Sequence, residues 1–288
     1  MKKPIIYNLI ELNIAMLLIS TSGPLGRFID LAPPVTIWFR ALFACFIIGG
    51  YCVYKKISFK INFKQDGFLL LLGGVLMGGH WISYFYALHY SNVAIGMLSL
   101  FTFPVITIFL EPFFFKTSIN IRQIGLGFMV LIGVYLLAPT FSLESSYTIG
   151  ILFGLFSAVL YSVRNLLIKN QIKKYNSSLL MWIQMLVITL FFTPVLAFFE
   201  YDFEEIQWLP IVSLALFTTA IGHSLFVKSL NHFTVGTASI IGSIQPIYGI
   251  ILAMIFLQEY PTYRTLLGGS LILGTVIIES YRSIRVKK

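Results

Sequence analysis

The chain has 288 residues, of which 58% are hydrophobic and only 11% charged. A soluble domain of this length does not need that composition; a chain that crosses a bilayer many times does. The net charge of +9 does not mark a nucleic-acid binder, because the basic residues form short clusters between apolar runs, the pattern of the positive-inside rule.

Ten apolar stretches are long enough or nearly long enough to cross a bilayer: 8–28, 35–54, 67–88, 92–115, 123–138, 148–168, 178–199, 208–230, 235–257 and 262–281. About 20 apolar residues suffice for a helix, and the fifth stretch is the shortest. Met1-Lys2-Lys3 before the first run resembles a signal peptide. The run continues to Phe28 without a small-residue cleavage site, so a retained first helix is expected. Cys45 and Cys52 share the second run. Seven residues of helix hold them roughly 10 Å apart, too far for a disulfide.

Placing both termini in the cytoplasm puts Lys55, Lys56, Lys60, Lys64, Lys116, Arg122, Lys169, Lys173, Lys174 and the tail cations inside. Asp30, Glu144, Glu200, Asp202, Glu204 and Glu205 fall outside, with Arg27 and Arg264 as exceptions. This asymmetry supports an even number of spans in the cytoplasmic membrane.

The second half echoes the first. Val93 and Pro104 in the fourth span match Val235 and Pro246 in the ninth, both pairs at one and the same offset along the chain. Trp38 and Arg40 match Trp182 and Gln184; Gly127 and Gly133 match Gly268 and Gly274; Arg27 and Arg164 stand in loosely similar places. Five spans per unit is an odd number, so the second unit starts on the opposite side. The expected fold is an all-α membrane protein of ten transmembrane helices, built as two inverted five-helix repeats over 1–140 and 148–288. Carriers of this construction bind their cargo between the repeats, near the midplane.

The stretches LFTFPVITIFLEP (100–112), GTASIIGSIQPIYGIILAMIFLQE (236–259) and TIWFRAL (36–42), in this order and repetition, resemble the EamA-type members of the drug/metabolite transporter superfamily over nearly the whole chain. The resemblance implies a ten-helix basket whose cavity is lined by helices one, three, four, six, eight and nine. It also implies export of small metabolites, notably amino acids and their derivatives, in many members with an ion gradient. Two places depart from the family pattern: Ser20-Thr21-Ser22-Gly23-Pro24 replaces a tryptophan-glycine pair, and Ser157-Ala158 lacks the common tryptophan.

Polar residues inside the spans are the site candidates. His80 and Tyr84, four apart with Trp81 between them, form a plausible wall for an organic substrate; ordinary packing with satisfied polar tips is the rival reading. Phe103 before Pro104, and Gln245 before Pro246, sit at mid-membrane prolines that are expected to bend their helices and free a carbonyl one turn back. Ala238, Gly242, Gln245 and Gly249 share one face. Tyr161 and Arg164 lie one turn apart in the sixth span; Arg164 either touches substrate or reaches the cytoplasmic interface, as Lys228 is expected to. Arg40 needs a partner at membrane depth, either a substrate carboxylate or, the favoured reading, protein groups. His223 could carry a proton, with helix contact as the commoner role of such residues. Glu11 and Glu111 are the acidic candidates for ion coupling, but both lie near cytoplasmic helix ends. Gly74/Gly78 and Gly150/Gly154 permit close helix approach.

The expected activity is secondary export of amino acids or related small metabolites by alternating access, with the lipid bilayer and the small molecule as partners; proton coupling is open, and Arg40 and His223 are the candidates for charge or proton coupling. No cofactor, metal, nucleic acid or phosphate-cradling loop is implied. Monomer and homodimer both stand open. A nucleotide-sugar or sugar-phosphate exchanger is the alternative cargo class and would need convergent basic groups; only Arg40 and Arg164 qualify, toward opposite faces. A membrane-embedded enzyme would need a metal or acid–base constellation that two lone histidines do not supply. A non-transporting membrane subunit would show no solute flux.

Overall fold

A computed structural model describes residues 5–114, 121–138, 142, 144–169, 171–229, 231–232 and 242–286; the side chains of Ile5, Arg122 and 279–286 are outside the description. Val235 and Ala238, and the lysines at 2, 3 and 116, lie outside it. The described residues form helices and connecting turns, without strands.

The helices are α1 (Ile5–Ser20), α2 (Ser22–Phe28), α3 (Pro33–Tyr54), α4 (Phe63–Tyr90), α5 (Val93–Leu100), α6 (Phe103–Phe114), α7 (Ile121–Leu137), α8 (Ser146–Ile168), α9 (Ser177–Phe191), α10 (Val195–Phe198), α11 (Trp208–Ser213), a π-helical segment (Leu214–His223), α12 (Ser224–Ser229), α13 (Gln245–Phe256) and α14 (Tyr263–Val286). Among the described residues, seven helical runs are long and apolar enough to cross a membrane, and three shorter ones lie in the fifth, ninth and tenth predicted spans. Among the described residues, each of the ten apolar stretches of the sequence thus carries a helix.

Local chemistry starts several of them. Asn62 and Asn92 cap α4 and α5, their side-chain oxygens accepting the N–H of Gln65 (3.3 Å) and Ile95 (2.9 Å). Pro33 and Pro34 open α3, where a missing N–H costs nothing. The 28 residues of α4 span about 42 Å, longer than the hydrocarbon core of a bilayer is thick.

The prolines stand where helical runs are interrupted. The fourth span stops at Leu100 and restarts at Phe103, with Pro104 second in α6. In the ninth span α13 starts at Gln245, with Pro246 second. Proline is tolerated in a first turn and not in a helix interior, so each break falls where the ring fits. The first span breaks at Thr21, just before Gly23-Pro24. At the break in the fourth span the Phe103 carbonyl is met by the hydroxyls of Thr107 (2.8 Å) and Ser162 (2.9 Å).

Packing follows the repeat. The third span packs on the sixth and the first on the eighth; the fourth on the sixth and the ninth on the first; the third on the seventh and the eighth on the second. The second and seventh, fourth and ninth, and fifth and tenth also pack pairwise. Exchanging the two halves maps this set onto itself, as inverted repeats require. One interface shows it atom by atom. Trp38 Nε1–H donates to the Thr189 carbonyl (2.9 Å) and lies 3.4 Å from Thr193 Oγ1. Its repeat mate Trp182 faces Gly49, whose added Cβ would come within 2.7 Å of Trp182 Nε1. Gly49 and Thr193 are themselves repeat mates, at the offset that separates Trp38 from Trp182.

Charge separates along the bundle. One end carries Lys55, Lys60, Lys169, Lys174 and Lys228; the other carries Asp30, the 200–205 acids and Glu259. The glycine pairs pack inside the chain: Gly74 and Gly78 against Val187 and Phe192, Gly150 and Gly154 against Ser91 and Ser99.

Gly133 of α7 and Gly268 of α14 bring two backbones together, each blocked by the other's carbonyl oxygen (2.9 and 2.6 Å from an added Cβ). Gly268→Ala should therefore lower stability by about 1–3 kcal/mol through overpacking. Gly274→Ala, whose Cβ meets nothing within 4 Å, should not lower it. Thermal unfolding of both variants in detergent checks the contrast; equal melting temperatures would contradict the close approach.

Candidate functional site

The polar residues of the spans converge on a buried seam. Arg40, on α3, is 0% exposed. Its Nε–H donates to Thr219 Oγ1 (2.8 Å), Nη2 to Thr218 Oγ1 (2.9 Å) and Nη1 to Ser22 Oγ (3.4 Å). Its Cζ lies 3.9 Å from the centre of the Trp81 ring, a cation–π contact. A charge at this depth costs about 2.5–3.5 kcal/mol on insertion scales, and hydroxyl oxygens with an aromatic face offset it.

The π-helical segment makes the arrangement possible. Its wider turn carries Thr218 and Thr219, two consecutive residues, onto one guanidinium, while both hydroxyls also donate to the Leu214 carbonyl (2.6 and 3.2 Å). Single π turns inside helices are rare and concentrate at functional sites. The segment ends at His223, which lies 5.5 Å, ring to ring, from Trp81. Trp81 and His223 stand at the same offset along the chain as Val93 and Val235. The rings therefore meet as repeat mates, at the pseudo-two-fold axis.

His80 faces the sixth span. Its Nδ1 is 2.7 Å from Ser157 Oγ, and Ser157 in turn donates to the His80 carbonyl (2.8 Å). The imidazole stacks on Tyr161 (4.5 Å) and lies 6.4 Å from Tyr84, nearly parallel. Phe103 meets Tyr161 edge to face at 4.9 Å. The structure thus gathers His80, Trp81, Tyr84, Phe103, Tyr161, Arg40 and His223 around one seam. Gln245 stands beside it, half-buried, its Nε2–H directed at Met16 Sδ (3.0 Å).

Arg164 is buried within the protein, at 3% exposure. Its Nε and Nη2 both donate to Gln184 Oε1 (2.9 and 2.5 Å), and Nη1 donates to Asn165 Oδ1 (2.9 Å). Ser22 is the repeat mate of Arg164, at the offset that relates Trp81 to His223. The Arg40–Ser22 and Gln184–Arg164 contacts are thus counterparts in the two halves, with the guanidinium on opposite partners. Arg27, matched loosely to Arg164 by sequence, has another counterpart in space. Arg27 Nε–H donates to Glu259 Oε1 (3.0 Å), whose second oxygen accepts the Val93 N–H (2.9 Å). At the opposite end Lys169, which follows Arg27 by that same offset, pairs with Glu111 (3.2 Å). Each pair ties the end of a first- or sixth-span helix to the ninth or fourth. Glu11 pairs with Lys228, so both acidic candidates for ion coupling are held by lysines.

Toward the acidic end α4 continues past the seam to line a cavity of about 860 Å³ with Tyr86, His89 and Tyr90, facing Asp30, Tyr201, Asp202 and Glu205. Among the described residues no three His, Cys, Asp or Glu side chains group as a metal site.

Sequence reasoning missed Ser22, Thr218 and Thr219 as guanidinium partners. The Thr-Thr pair in an apolar run was the available signal. Comparison with known proteins agrees with the fold. The EamA-like transporter family model matches residues 9–138 and again 148–281. An "Uncharacterized transporter YxxF" of Bacillus subtilis is 24% identical over 89% of this chain and 84% of its own. An "Uncharacterized transporter" of Haemophilus influenzae is 22% identical over 76% and 73%, and one of Archaeoglobus fulgidus is 27% identical over 68% and 70%. A solved crystal structure superposes with a TM-score of 0.71 at 16% identity, over 98% of this chain and 99% of that one.

Hydrogen bonds to a charged group contribute about 1.5–3 kcal/mol each, so Thr219→Val should destabilise by that order. In an Arg40→Met background the same change should cost less than half as much. A double-mutant cycle from denaturant unfolding measures the coupling; additive costs would contradict the Arg40–Thr219 contact.

Proposed function

This chain belongs to the EamA-like transporter family, and from that we propose that it is a secondary transporter exporting amino acids or related small metabolites by alternating access. The observation that carries the reading is the meeting of the repeat mates Trp81 and His223. Around them lies a buried set of rings and polar tips between two half-bundles, where inverted-repeat carriers hold their cargo. Tyr84, Tyr161, Phe103 and Trp81 supply apolar area; His80, Gln245 and the hydroxyls supply orientation. The repeats act as units, 1–140 and 148–288, and the breaks at Thr21, Phe101-Thr102 and Gln245 serve as bends. No covalent step is part of this function.

The basic end faces the cytoplasm of the cell membrane in this account, with both termini there, as charge asymmetry favours. His223 is the proposed proton carrier, because its imidazole stands in the buried seam against its repeat mate Trp81. The two counterpart ion pairs, Arg27–Glu259 and Lys169–Glu111, act as opposed latches, one closing each end.

Proteoliposome flux over a panel of amino acids and related metabolites, with and without a pH gradient, tests the reading. Saturable flux of one group, accelerated by the gradient, is expected. Protein-dependent flux indifferent to the gradient would remove proton coupling, and absence of flux across the panel would contradict transport. Gln245→Ala should impair flux with normal membrane insertion.

The latches make a separate prediction. A cysteine at Val93, buried beside Glu259 in a background lacking Cys45 and Cys52, should react with a membrane-impermeant thiol reagent about two- to fivefold faster after Arg27→Gln. The factor reflects the modest worth of a partly exposed ion pair. After Lys169→Gln it should react more slowly. Equal rates in both variants would contradict opposed latches.

A further inference from the structure

We propose that the site's cargo is a small organic anion: a carboxylate on an apolar or aromatic body, without a cationic amine. This rests on the transporter reading and, of its two cargo classes, keeps the related small metabolites and sets aside the amino acids themselves.

Arg40 and Arg164 are both buried and both held solely by uncharged groups among the described residues: Thr218, Thr219 and Ser22 for one, Gln184 and Asn165 for the other. A guanidinium has five N–H donors, and these contacts engage three donor nitrogens of each. Every carboxylate among the described side chains lies at or near an end of the bundle. Glu11, Asp66, Glu111 and Glu259 are already paired with Lys228, Lys174, Lys169 and Arg27, and the others sit in connecting segments. The seam therefore holds two positive charges and no negative one among the described residues.

The two guanidinium groups stand near different rings of the seam. Arg40 lies on Trp81. Arg164 lies one turn from Tyr161, which stacks on His80. Both are within electrostatic range of His80 and His223. An unbalanced buried charge is costly in a low-dielectric medium, so a carboxylate entering here gains more than a neutral or cationic molecule of the same shape. Charge-assisted bonds to a guanidinium are among the stronger ones available. An α-ammonium would find no acid in this seam, which argues against zwitterions. The ring faces of Trp81, Tyr84, Tyr161 and Phe103 suit an apolar body. The cavity at the acidic end adds direction: Asp30, Asp202 and Glu205 there disfavour re-entry of a released anion.

The test is calorimetric binding to the full chain in lipid nanodiscs at pH 7, with two matched sets. One is phenylacetate, phenylacetamide, phenethylamine and phenylalanine. The other is 3-methylbutanoate, its amide, 3-methylbutylamine and leucine. In at least one set the acid should bind tenfold or more tighter than the amide, the amine and the zwitterion. Arg164→Gln should weaken acid binding at least tenfold and leave the amide within about twofold, with Arg164→Lys recovering part of the loss. Preference for the amine or the zwitterion overturns the inference, and so does failure of both acids to bind. The wild-type comparison stands even if the variants do not fold. Protein-dependent flux of an amine or amino acid would keep the transporter reading while the anion inference falls; no protein-dependent flux of any metabolite would remove both.

Discussion

A guanidinium buried at membrane depth, without an acid beside it among the described residues, is the constraint around which this molecule is arranged. Arg40 is 0% exposed, and no carboxylate among the described residues carries its charge. Two threonines, a serine and an indole face do so instead. Those partners come from the eighth, first and third spans, so the second span is tied to three others at one point. The π-helical stretch Leu214–His223 follows from the same need. It places consecutive threonines on one charge and ends on the histidine that meets Trp81.

The two halves solve related problems with different residues. Trp38 reaches across to Thr189 and Thr193, and Trp182 reaches back toward Gly49. Arg40 with Ser22 becomes, in the other half, Gln184 with Arg164. Arg27 with Glu259 at one end becomes Lys169 with Glu111 at the other. Symmetry of position survives where identity does not, because each contact needs only a donor and an acceptor at the right place. The divergence moves both cations onto one seam. That is the electrostatic basis for the anion preference, and the opposed end contacts are the basis for alternation.

Much of the fold was legible in the sequence, since the bilayer imposes long apolar runs and charge asymmetry. Val93 with Val235 and Trp38 with Trp182 disclosed the repeat through their matching places in the two halves. The aromatic seam was legible through His80, Trp81 and Tyr84, which share a helix. What could not be read depends on contacts between distant residues. Glu259 and Arg27 lie 232 positions apart, and nothing local joins them. Thr218 and Thr219 look like ordinary apolar-run threonines until a π turn aims both at Arg40. Pro104 and Pro246 read as bends because a proline inside an apolar run fits a kink or a restart equally; the restart leaves each ring in a first turn, where no hydrogen bond is lost.

The central claim, that Arg40 is a fully buried cation held by hydroxyls at the axis between the halves, can be measured directly by NMR. The protein would be labelled with ¹⁵N-arginine in nanodiscs and its guanidinium Nε–H exchange followed. The account predicts a slowly exchanging Nε–H that disappears in Arg40→Lys and speeds up in Thr219→Val. If every arginine Nε–H exchanges at the rate of a solvent-exposed side chain, the buried guanidinium, and the site built around it, is contradicted.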